Sequence, residues 1–445
     1  MYGMNTKMKN KHNFMKIFVI TLLLVLVAGF GLLGALLVKN DEKIRLESQA
    51  EKADAQKPGK TDIQGIGWET VDEAEVEKRR EEQEAKKLEE AKRAEQELQK
   101  QEENPYDENG NLKNENGRIV QKEIAPKNEN EITLLFAGDI LLDDEYAVMA
   151  TMKQRANGVY DSYSAETMHE MQSADIFMVN NEFTYTNRGT PTEGKTYTFR
   201  ADPECAEILL DMGVDIVSLA NNHTYDFGEI SMLDTFDTLN NIEMPYVGAG
   251  LNIDDAAQTV YFEIQDVKIG IVSATQIERT SNPDTKSATE TGPGVFRCFS
   301  ETRIYDEIAK AKENCDFVVA YVHWGTESTD ELDWSQPDIS VKLAEAGADI
   351  IVGAHPHVLQ EIANVKGVPT IFSLGNYLFN SGTCDTGLLK VTLQDKELKS
   401  FQFIPAKQSG CYTKILDGAE KERVLSYMRS ISGTVAIDDN GYVTF

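Results

Sequence analysis

From Glu131 to the C-terminus, short apolar runs rich in β-branched residues alternate with segments of helical periodicity. The apolar runs predict buried strands at residues 132–137, 175–179, 215–219, 267–273, 317–322, 349–352 and 370–373. The segments between them predict helices near residues 165–172, 203–212, 229–239, 301–313 and 336–345. Strands that alternate with helices in this way indicate an α/β fold built in layers.

Polar side chains follow six of these strands, at the point where each apolar run ends. In open α/β sheets, ligands bind at the carboxyl ends of the strands. We therefore expect one rim of the domain to carry Asp139, Glu182, Asn222, His223, His323, His355, His357 and Asn376. Carboxylate, imidazole and amide groups together suit Mn, Fe or Zn better than Ca. One or two such ions could activate a water molecule and stabilise an attacked phosphoryl or carbonyl oxygen.

The histidines need a second interpretation, because an isolated histidine is more often structural or exposed than a metal ligand. Four of the six histidines in this chain directly follow apolar runs, and this clustering favours a metal site. Asn376 is less decisive, since asparagine also stabilises strand-to-loop turns. The acidic residues Asp143, Asp144 and Glu145 near the first turn predict a solvated loop.

The motifs also resemble those of a known family. The ordered segments GDILLDD, NNEFT, LANNHTYDFG, HWGTE, GAHPHV and SLGNYLF are similar to those of CapA-type poly-gamma-glutamate capsule proteins, which are relatives of the calcineurin-like metallophosphatases. The resemblance covers residues 132–379. It implies a four-layer α/β/β/α sandwich, a membrane-bound location and a role in the export or attachment of an anionic polymer, alongside other membrane proteins of capsule synthesis.

The resemblance also implies roles for individual residues. Asp139 and His357 would bind the first metal ion, and Glu182 would bridge to a second ion. Asn222, His323 and His355 would complete the second site, and His223 would protonate the leaving group. Substrate-binding roles are predicted for Asn180, Asn376, Trp324 and Glu327. One departure weakens the first site, because Leu141 stands where metallophosphatases usually have a histidine.

The N-terminal part of the chain predicts a membrane anchor. Residues 17–38 are an unbroken apolar run, and about 20 such residues cross a bilayer as a helix. Lysines precede the run, so residues 1–16 are expected in the cytoplasm and the main domain outside the cell. A cleaved signal peptide is the alternative, but the run is long for one and lacks a small-residue cleavage site.

The remaining segments complete the predicted domain organisation. Residues 39–130 predict a charged, low-complexity spacer, with a solvated helix at 72–103 that has too few apolar positions for a stable coiled coil. Residues 131–397 form the predicted metal-binding domain. Residues 398–445 are predicted to be an extension packed on that domain, with a strand, a helix around 419–429 and a last strand.

Charge restricts the partners that this chain can bind. The formal net charge is −30, which excludes a nucleic-acid partner because phosphate binding requires clustered basic residues. An anionic polymer would need metal ions or a local basic patch, for which Lys195, Arg200, Arg279 and Arg297 are candidates, although each taken singly is better explained as an ordinary surface charge. Five cysteines without a CxxC spacing favour buried thiols over a disulfide scaffold.

Two functions therefore remain open. The first is a metal-dependent hydrolase or transferase that acts on a cell-envelope polymer, with His223 as the general acid. The second is a non-catalytic protein that binds the polymer within a capsule synthase complex.

Overall fold

Two eight-stranded β-sheets form the centre of the fold. The computed structural model describes residues 106–277, 285–299 and 302–445, together with Lys86. In these residues the strands, numbered in chain order, are β1 (Asn111–Lys113), β2 (Ile119–Ile124), β3 (Ile132–Ile140), β4 (Ile176–Asn181), β5 (Thr184–Tyr185), β6 (Arg200–Ala201), β7 (Ile216–Ser218), β8 (Tyr246–Val247), β9 (Ala249–Gly250), β10 (Val260–Ile264), β11 (Val267–Thr275), β12 (Gly294–Val295), β13 (Phe317–His323), β14 (Ile350–Ala354), β15 (Ile362–Val365), β16 (Val368–Ile371), β17 (Asn376–Leu378), β18 (Cys384–Gln394), β19 (Glu397–Gln408), β20 (Thr413–Ile415), β21 (Ala436–Ile437) and β22 (Val443–Thr444).

Helices connect many of these strands. They are α1 (Ala147–Met152), α2 (Ala165–Ser173), α3 (Glu207–Met212), α4 (Glu229–Asn241), α5 (Ile253–Ala256), α6 (Arg303–Asn314), α7 (Ser335–Ala346) and α8 (Gly418–Ile431), with short 3₁₀ helices at Gly158–Ser162 and Pro203–Ala206. Helices α3 and α7 end at Gly213 and Gly347, which adopt φ values of 81° and 114°. Glycine is favoured there because it adopts the left-handed conformation without steric cost.

Both sheets mix parallel and antiparallel strands, which confirms the predicted α/β class. The first sheet has the order β1-β2-β10-β11-β13-β14-β16-β15. The second has the order β20-β19-β18-β3-β4-β7-β8, with β17 paired to β3. The central neighbours run parallel in each sheet: β11, β13 and β14 in the first, and β3, β4 and β7 in the second. Loops from the carboxyl ends of parallel strands therefore meet at one edge of each sheet.

Three apolar clusters show how the layers are stacked. One cluster joins the facing sides of the two sheets through residues such as Phe136 of β3 and Tyr321 of β13. A second packs Leu135 of β3 against helices α2, α3 and α4, and the third packs Val322 of β13 against α6 and α7. Successive strand residues point to opposite faces, so each central strand is buried on both sides. The layers therefore run helices, sheet, sheet, helices.

The domain begins earlier than the sequence predicts. Strands β1 and β2 lie in residues assigned above to the spacer, yet β2 pairs in parallel with β10 of the first sheet. Arg118 in this hairpin is fully buried, and it donates hydrogen bonds to Tyr246 O at 2.9 Å and to Ala249 O at 3.2 Å. Its guanidinium also pairs with Asp255 at 3.2 Å. The predicted spacer boundary at residue 130 is therefore wrong for this hairpin.

The C-terminal region also forms part of the central fold, whereas a packed extension was predicted. Strand β19 pairs along its whole length with β18, which in turn pairs with β3 at the centre of the second sheet. The predicted order of strand, helix and final strand is confirmed by β19, α8 and the short pair β21–β22. Residues 398–445 thus complete a sheet and are not an added extension.

The predicted anchor at residues 17–38 lies outside the described residues. So does the spacer helix at 72–103, apart from Lys86. Among the helices of the described residues, none combines the length and the apolar character that crossing a membrane requires. The five cysteines are all free thiols.

Candidate metal centre

Asp139, near the end of β3, is held in place by a close contact between the backbone of this strand and Gly375. Its backbone N–H donates to Gly375 O at 3.1 Å. A Cβ atom on the preceding residue, Gly138, would lie 1.8 Å from the same oxygen, so only glycine fits there. Strand β17 starts beside this contact and pairs with β3 through Asn376 and Asp139. The backbone thus brings the first and last predicted site motifs together.

Two buried carboxylates lie side by side at this edge of the second sheet. Asn180 donates from Nδ2 to Asp139 Oδ1 at 2.7 Å and to Glu182 Oε2 at 3.0 Å, and all three side chains are fully buried. Burial raises the pKa of Glu182 well above its usual range, and repulsion from Asp139 raises it further. Two neighbouring buried carboxylates are costly unless a cation offsets their charge.

The second oxygen of Glu182 has no hydrogen-bond partner. Glu182 Oε1 is buried, 3.8 Å from His357 Nε2 and 3.9 Å from His223 Nε2. Asp139 Oδ2 is 3.2 Å from His357 Nδ1 but makes no hydrogen bond of acceptable geometry. Buried polar atoms of folded proteins nearly always have partners. Two exceptions at one place indicate a site built to receive a positive ion.

Three histidines from the first sheet complete this cluster. His323 ends β13, and its Nε2 lies 2.8 Å from Asn222 Oδ1. His355 and His357 follow β14, and the His355 ring lies 4.6 Å from that of His323 and 5.9 Å from that of His357. His355 and His357 adopt φ values of 98° and 61°. Non-glycine residues in this conformation concentrate at functional sites, where the surrounding structure enforces it.

The ligand types and their spacing fit a divalent metal ion. Ligand atoms of Glu182, His355 and His357 lie within 4.8 Å of one another, and so do those of Asp139, Glu182 and His323. Two ligands on opposite sides of one ion are separated by about 4.2 Å when each bond is about 2.1 Å. Small side-chain movements would therefore suffice for binding. Glu182 belongs to both groups, as a bridging ligand requires, and the mixed oxygen and nitrogen set suits Mn, Fe or Zn.

The protonation of the histidines reflects the same charges. Burial lowers the pKa of His323 well below its usual range, and neighbouring histidines add to that effect. Burial would also lower the pKa of His357, but attraction to Glu182 and Asp139 outweighs it and raises the pKa to about 10. A protonated His357 offsets part of the carboxylate charge. Metal binding would replace that proton, because only a neutral imidazole ligates a metal.

His223 belongs to a different arrangement beside this cluster. Its Nδ1 lies 2.7 Å from Asp226 Oδ2, which also accepts a hydrogen bond from Phe199 N at 2.6 Å. Lys195 Nζ donates to Asp226 Oδ1 and to Asn222 O. Asp226 therefore favours a proton on Nδ1 of His223 and leaves Nε2 facing the carboxylates. Burial lowers the pKa of His223, against the attraction of Asp226.

Most of the predicted ligands meet here, but the predicted substrate-binding residues do not share one role. Asn180 is fully buried and uses its side chain to bridge the two carboxylates, so a substrate cannot reach it. Trp324 is also fully buried, donates from Nε1 to Phe372 O at 2.9 Å and belongs to the core. These two predictions are wrong. Glu327 is exposed, and its charge acts on both Glu182 and His357, so it lies close to the cluster.

Asp143 and Lys195 correct the sequence analysis, whereas Leu141 agrees with it. Leu141 packs in the apolar cluster beneath the second sheet, so its side chain belongs to that core. Asp143 is buried and accepts backbone hydrogen bonds from Arg200 at 2.6 Å and Glu145 at 2.7 Å, whereas a solvated loop was expected. Lys195 is a buried partner of Asp226 and not a surface charge. Asp226 itself was not predicted, although it stands three residues after His223 in the same motif.

Asn376 orients a metal ligand in this geometry. Its Oδ1 lies 2.8 Å from His357 Nδ1, so it can accept the proton there and leave Nε2 to face Glu182. We expect Asn376→Ala to weaken divalent-metal affinity by about 10–100-fold, the effect typical of residues that orient ligands. Metal titration of the purified chain measures this. Asn380→Ala, in the adjoining loop, serves as the control, and equal affinities for the two variants would contradict the role.

Comparisons with known proteins agree with the ligand motifs. The sequence model of the family described as bacterial capsule synthesis protein PGA_cap matches residues 133–381, more than half of the chain. The chain is 27% identical over 293 residues to the PGA biosynthesis protein CapA of Bacillus subtilis (strain 168), covering 65% of this chain and 75% of that protein. It is 31% identical over 238 residues to the capsule biosynthesis protein CapA of Bacillus anthracis, covering 52% and 57%.

A solved structure with some similarity comes from Thermus thermophilus and is described as a hypothetical protein. It is 13% identical, and the alignment covers 62% of this chain and all of that one at a TM-score of 0.39. Similarity at this score does not establish a common fold.

Proposed function

Because this chain belongs to the bacterial capsule synthesis protein family PGA_cap, we propose that it is a metal-dependent hydrolase or transferase of cell-envelope polymers, acting on poly-gamma-glutamate or a similar anionic polymer. One observation carries the catalytic part of this proposal. Glu182 Oε1 is buried without a hydrogen-bond partner among histidines and a second carboxylate. A purely structural core would not keep this group, since its burial costs stability unless a cation binds.

Different residues supply metal binding and proton transfer. A bound divalent ion would supply positive charge that polarises the attacked carbonyl or phosphoryl oxygen. Asp139, Glu182, His323, His355 and His357 would hold that ion, with Asn222 as an additional oxygen ligand. Their burial excludes water from the ligand atoms and strengthens each electrostatic interaction there.

His223 is suited to proton transfer. The hydrogen bond of Nδ1 to Asp226 orients the ring, so that the doubly protonated imidazolium can donate its Nε2 proton to the departing oxygen or nitrogen. Lys195 holds Asp226 from the other side, which fixes the carboxylate as an acceptor.

The location and architecture form part of the same proposal. We infer that residues 17–38 anchor the chain in the cell membrane with the main domain outside, where capsule polymers are assembled. The stacking of helices, two sheets and helices, with ligands after successive strands, supports a metallophosphatase-like relationship. Positive metal charge would also offset the repulsion between an anionic polymer and a chain of net charge −30.

A non-catalytic role in polymer binding is the second candidate. It is favoured by Leu141, since this residue packs in the core and supplies no ligand to the first metal position. A centre with one ion could bind an anionic polymer without cleaving it.

Metal analysis and turnover by the full chain decide between these functions. We expect at least one tightly bound Mn, Fe or Zn ion per chain, and metal-dependent cleavage of either a chromogenic phosphodiester or poly-gamma-glutamate. The cleaved substrate would identify the bond. Saturable polymer binding without cleavage, with one bound ion or none, would favour the non-catalytic role. A chain that neither cleaves these substrates nor binds the polymer would contradict both.

A further inference from the structure

A column of aromatic rings leads from the metal centre to the solvent. The Phe199 ring lies 4.4 Å from the ring of His223, and the Tyr197 ring stacks on Phe199 at 6.3 Å with an angle of 23° between the planes. Phe199 is 5% exposed, whereas Tyr197 is 61% exposed. The column therefore starts at a buried histidine and ends in a ring that solvent reaches.

Two more rings pack against Phe199 beside the centre, the buried Phe379 and the half-buried Tyr146. Phe379 meets Phe199 edge-on at 5.8 Å and lies 4.8 Å from the ring of His357. Tyr146 meets Phe199 edge-on at 5.1 Å. We refer to Tyr146, Tyr197, Phe199 and Phe379 as the aromatic ledge. The ledge contacts both the proposed proton donor and a proposed metal ligand.

The loop that carries Tyr197 and Phe199 is fixed in place. Phe199 N donates to Asp226 Oδ2 at 2.6 Å, and Thr192 N donates to Asp226 O at 2.8 Å. Lys195, between them, pairs with the Asp226 carboxylate. An exposed tyrosine on a loop held this firmly is already positioned for binding, so little conformational entropy would be lost when a ligand stacks on it.

Charges around the ledge select the kind of ligand. Glu145 is exposed next to Tyr146, and Glu327 is exposed and close enough for its charge to act on His357. Lys195 is paired with Asp226, whereas Arg200 lies over the ring of Phe227 at 4.6 Å and keeps its charge. These groups give no excess of positive charge that would attract a polyanion. A neutral ring with one apolar face and a rim of hydroxyl groups fits, because the face packs on aromatic carbon and the hydroxyls donate to carboxylates.

We propose that the aromatic ledge is a binding subsite for a neutral sugar ring next to the metal centre. This inference rests on the proposed function, because it places a glycan unit beside the bond that the centre acts on. The anionic polymer and the glycan would then occupy different parts of one site.

The test is calorimetric titration of the metal-loaded full chain with neutral tetrasaccharides of N-acetylglucosamine, glucose and mannose. We expect at least one to bind saturably, and Tyr197→Ala to weaken its binding by about 5–10-fold, the range that a single aromatic contact provides. Tyr197→Trp should preserve binding. Tyr160→Ala is the matched control, since Tyr160 is 47% exposed in the 3₁₀ helix Gly158–Ser162, outside the ledge.

Three results would overturn the subsite. They are no saturable binding of any neutral tetrasaccharide, equal affinity of the Tyr197→Ala and wild-type chains, and Tyr197-dependent binding of poly-gamma-glutamate alone. Metal content and phosphodiester turnover of the wild-type chain are measured on the same preparations. If the chain holds metal and cleaves the phosphodiester but binds no sugar, only the subsite is rejected. If the chain binds sugar but holds no metal or shows no turnover, only the proposed catalysis is rejected.

Discussion

Glu182→Gln is expected to abolish turnover and to weaken divalent-metal binding by more than about 100-fold, since even residues that only orient ligands contribute about 10–100-fold. The substitution preserves the shape of the side chain and its acceptor for Asn180, but it removes the negative charge shared by both ligand groups. Metal analysis by mass spectrometry and a turnover assay measure the two effects.

The same variant should become more stable in the absence of metal. Burial and the nearby Asp139 raise the pKa of Glu182, so the charged form is disfavoured in the metal-free fold. A neutral glutamine avoids this cost, and metal-free Glu182→Gln should melt at a higher temperature than the metal-free wild type. With metal present, the wild type should melt at the higher temperature, because an ion at 100 times its dissociation constant stabilises the wild type by about 2.7 kcal/mol.

Glu331→Gln is the control for both measurements. Glu331 is exposed in the loop that follows His323, and it belongs to neither ligand group. It should match the wild type in metal content and in both melting temperatures. If Glu182→Gln keeps its metal, or if the metal-free variant is less stable than the wild type, the carboxylate is a structural group and the metal centre proposed here is wrong.

The metal cluster could be predicted because its carboxylate and histidine ligands lie at the end of a strand or soon after it. A buried strand is visible as a short apolar run, and the carboxyl ends of neighbouring parallel strands share an edge. Asp139 and His323 lie in the last two residues of β3 and β13, and Glu182 and His355 directly follow β4 and β14. Local patterns and one rule of topology therefore predict the ligands of each sheet, and the packing of the two sheets brings the two sets together.

Other features depend on contacts that no local pattern shows. Strand β2 has only six residues, three of them consecutive polar ones, and its pairing with β10 involves residues about 140 positions later in the chain. Without that pairing, the segment looks like part of a charged spacer. Lys195 bonds to Asp226, which lies 31 positions later in the sequence, and its burial follows only from that contact.

Trp324 illustrates a different difficulty. It stands next to His323, and proximity in sequence suggested a shared role. Adjacent strand residues point to opposite faces, so His323 faces the metal cluster while Trp324 packs on Phe372 in the outer core. Because side chains alternate between the two faces of a strand, His323 and Trp324 are expected to have different roles.

His223→Gln is expected to lower kcat by about 10²–10⁴-fold, the contribution typical of a positioned general acid, while metal content stays unchanged. The hydrogen bond between Nδ1 and Asp226 leaves Nε2 as the atom that can donate a proton within the site. His169→Gln is the control, because His169 is exposed on helix α2 and takes no part in the cluster.

Comparison of two leaving groups separates proton donation from other roles of His223. A nitrophenolate departs without a proton, whereas an alkoxide or an amine needs one. His223→Gln should therefore impair cleavage of an alkyl ester or a γ-glutamyl amide far more than cleavage of a nitrophenyl ester. Equal losses on both substrates would show that His223 acts on binding or on the attacking group. Loss of bound metal would instead make His223 a ligand, and then neither the hydrogen bond to Asp226 nor the burial of Lys195 would indicate a proton donor.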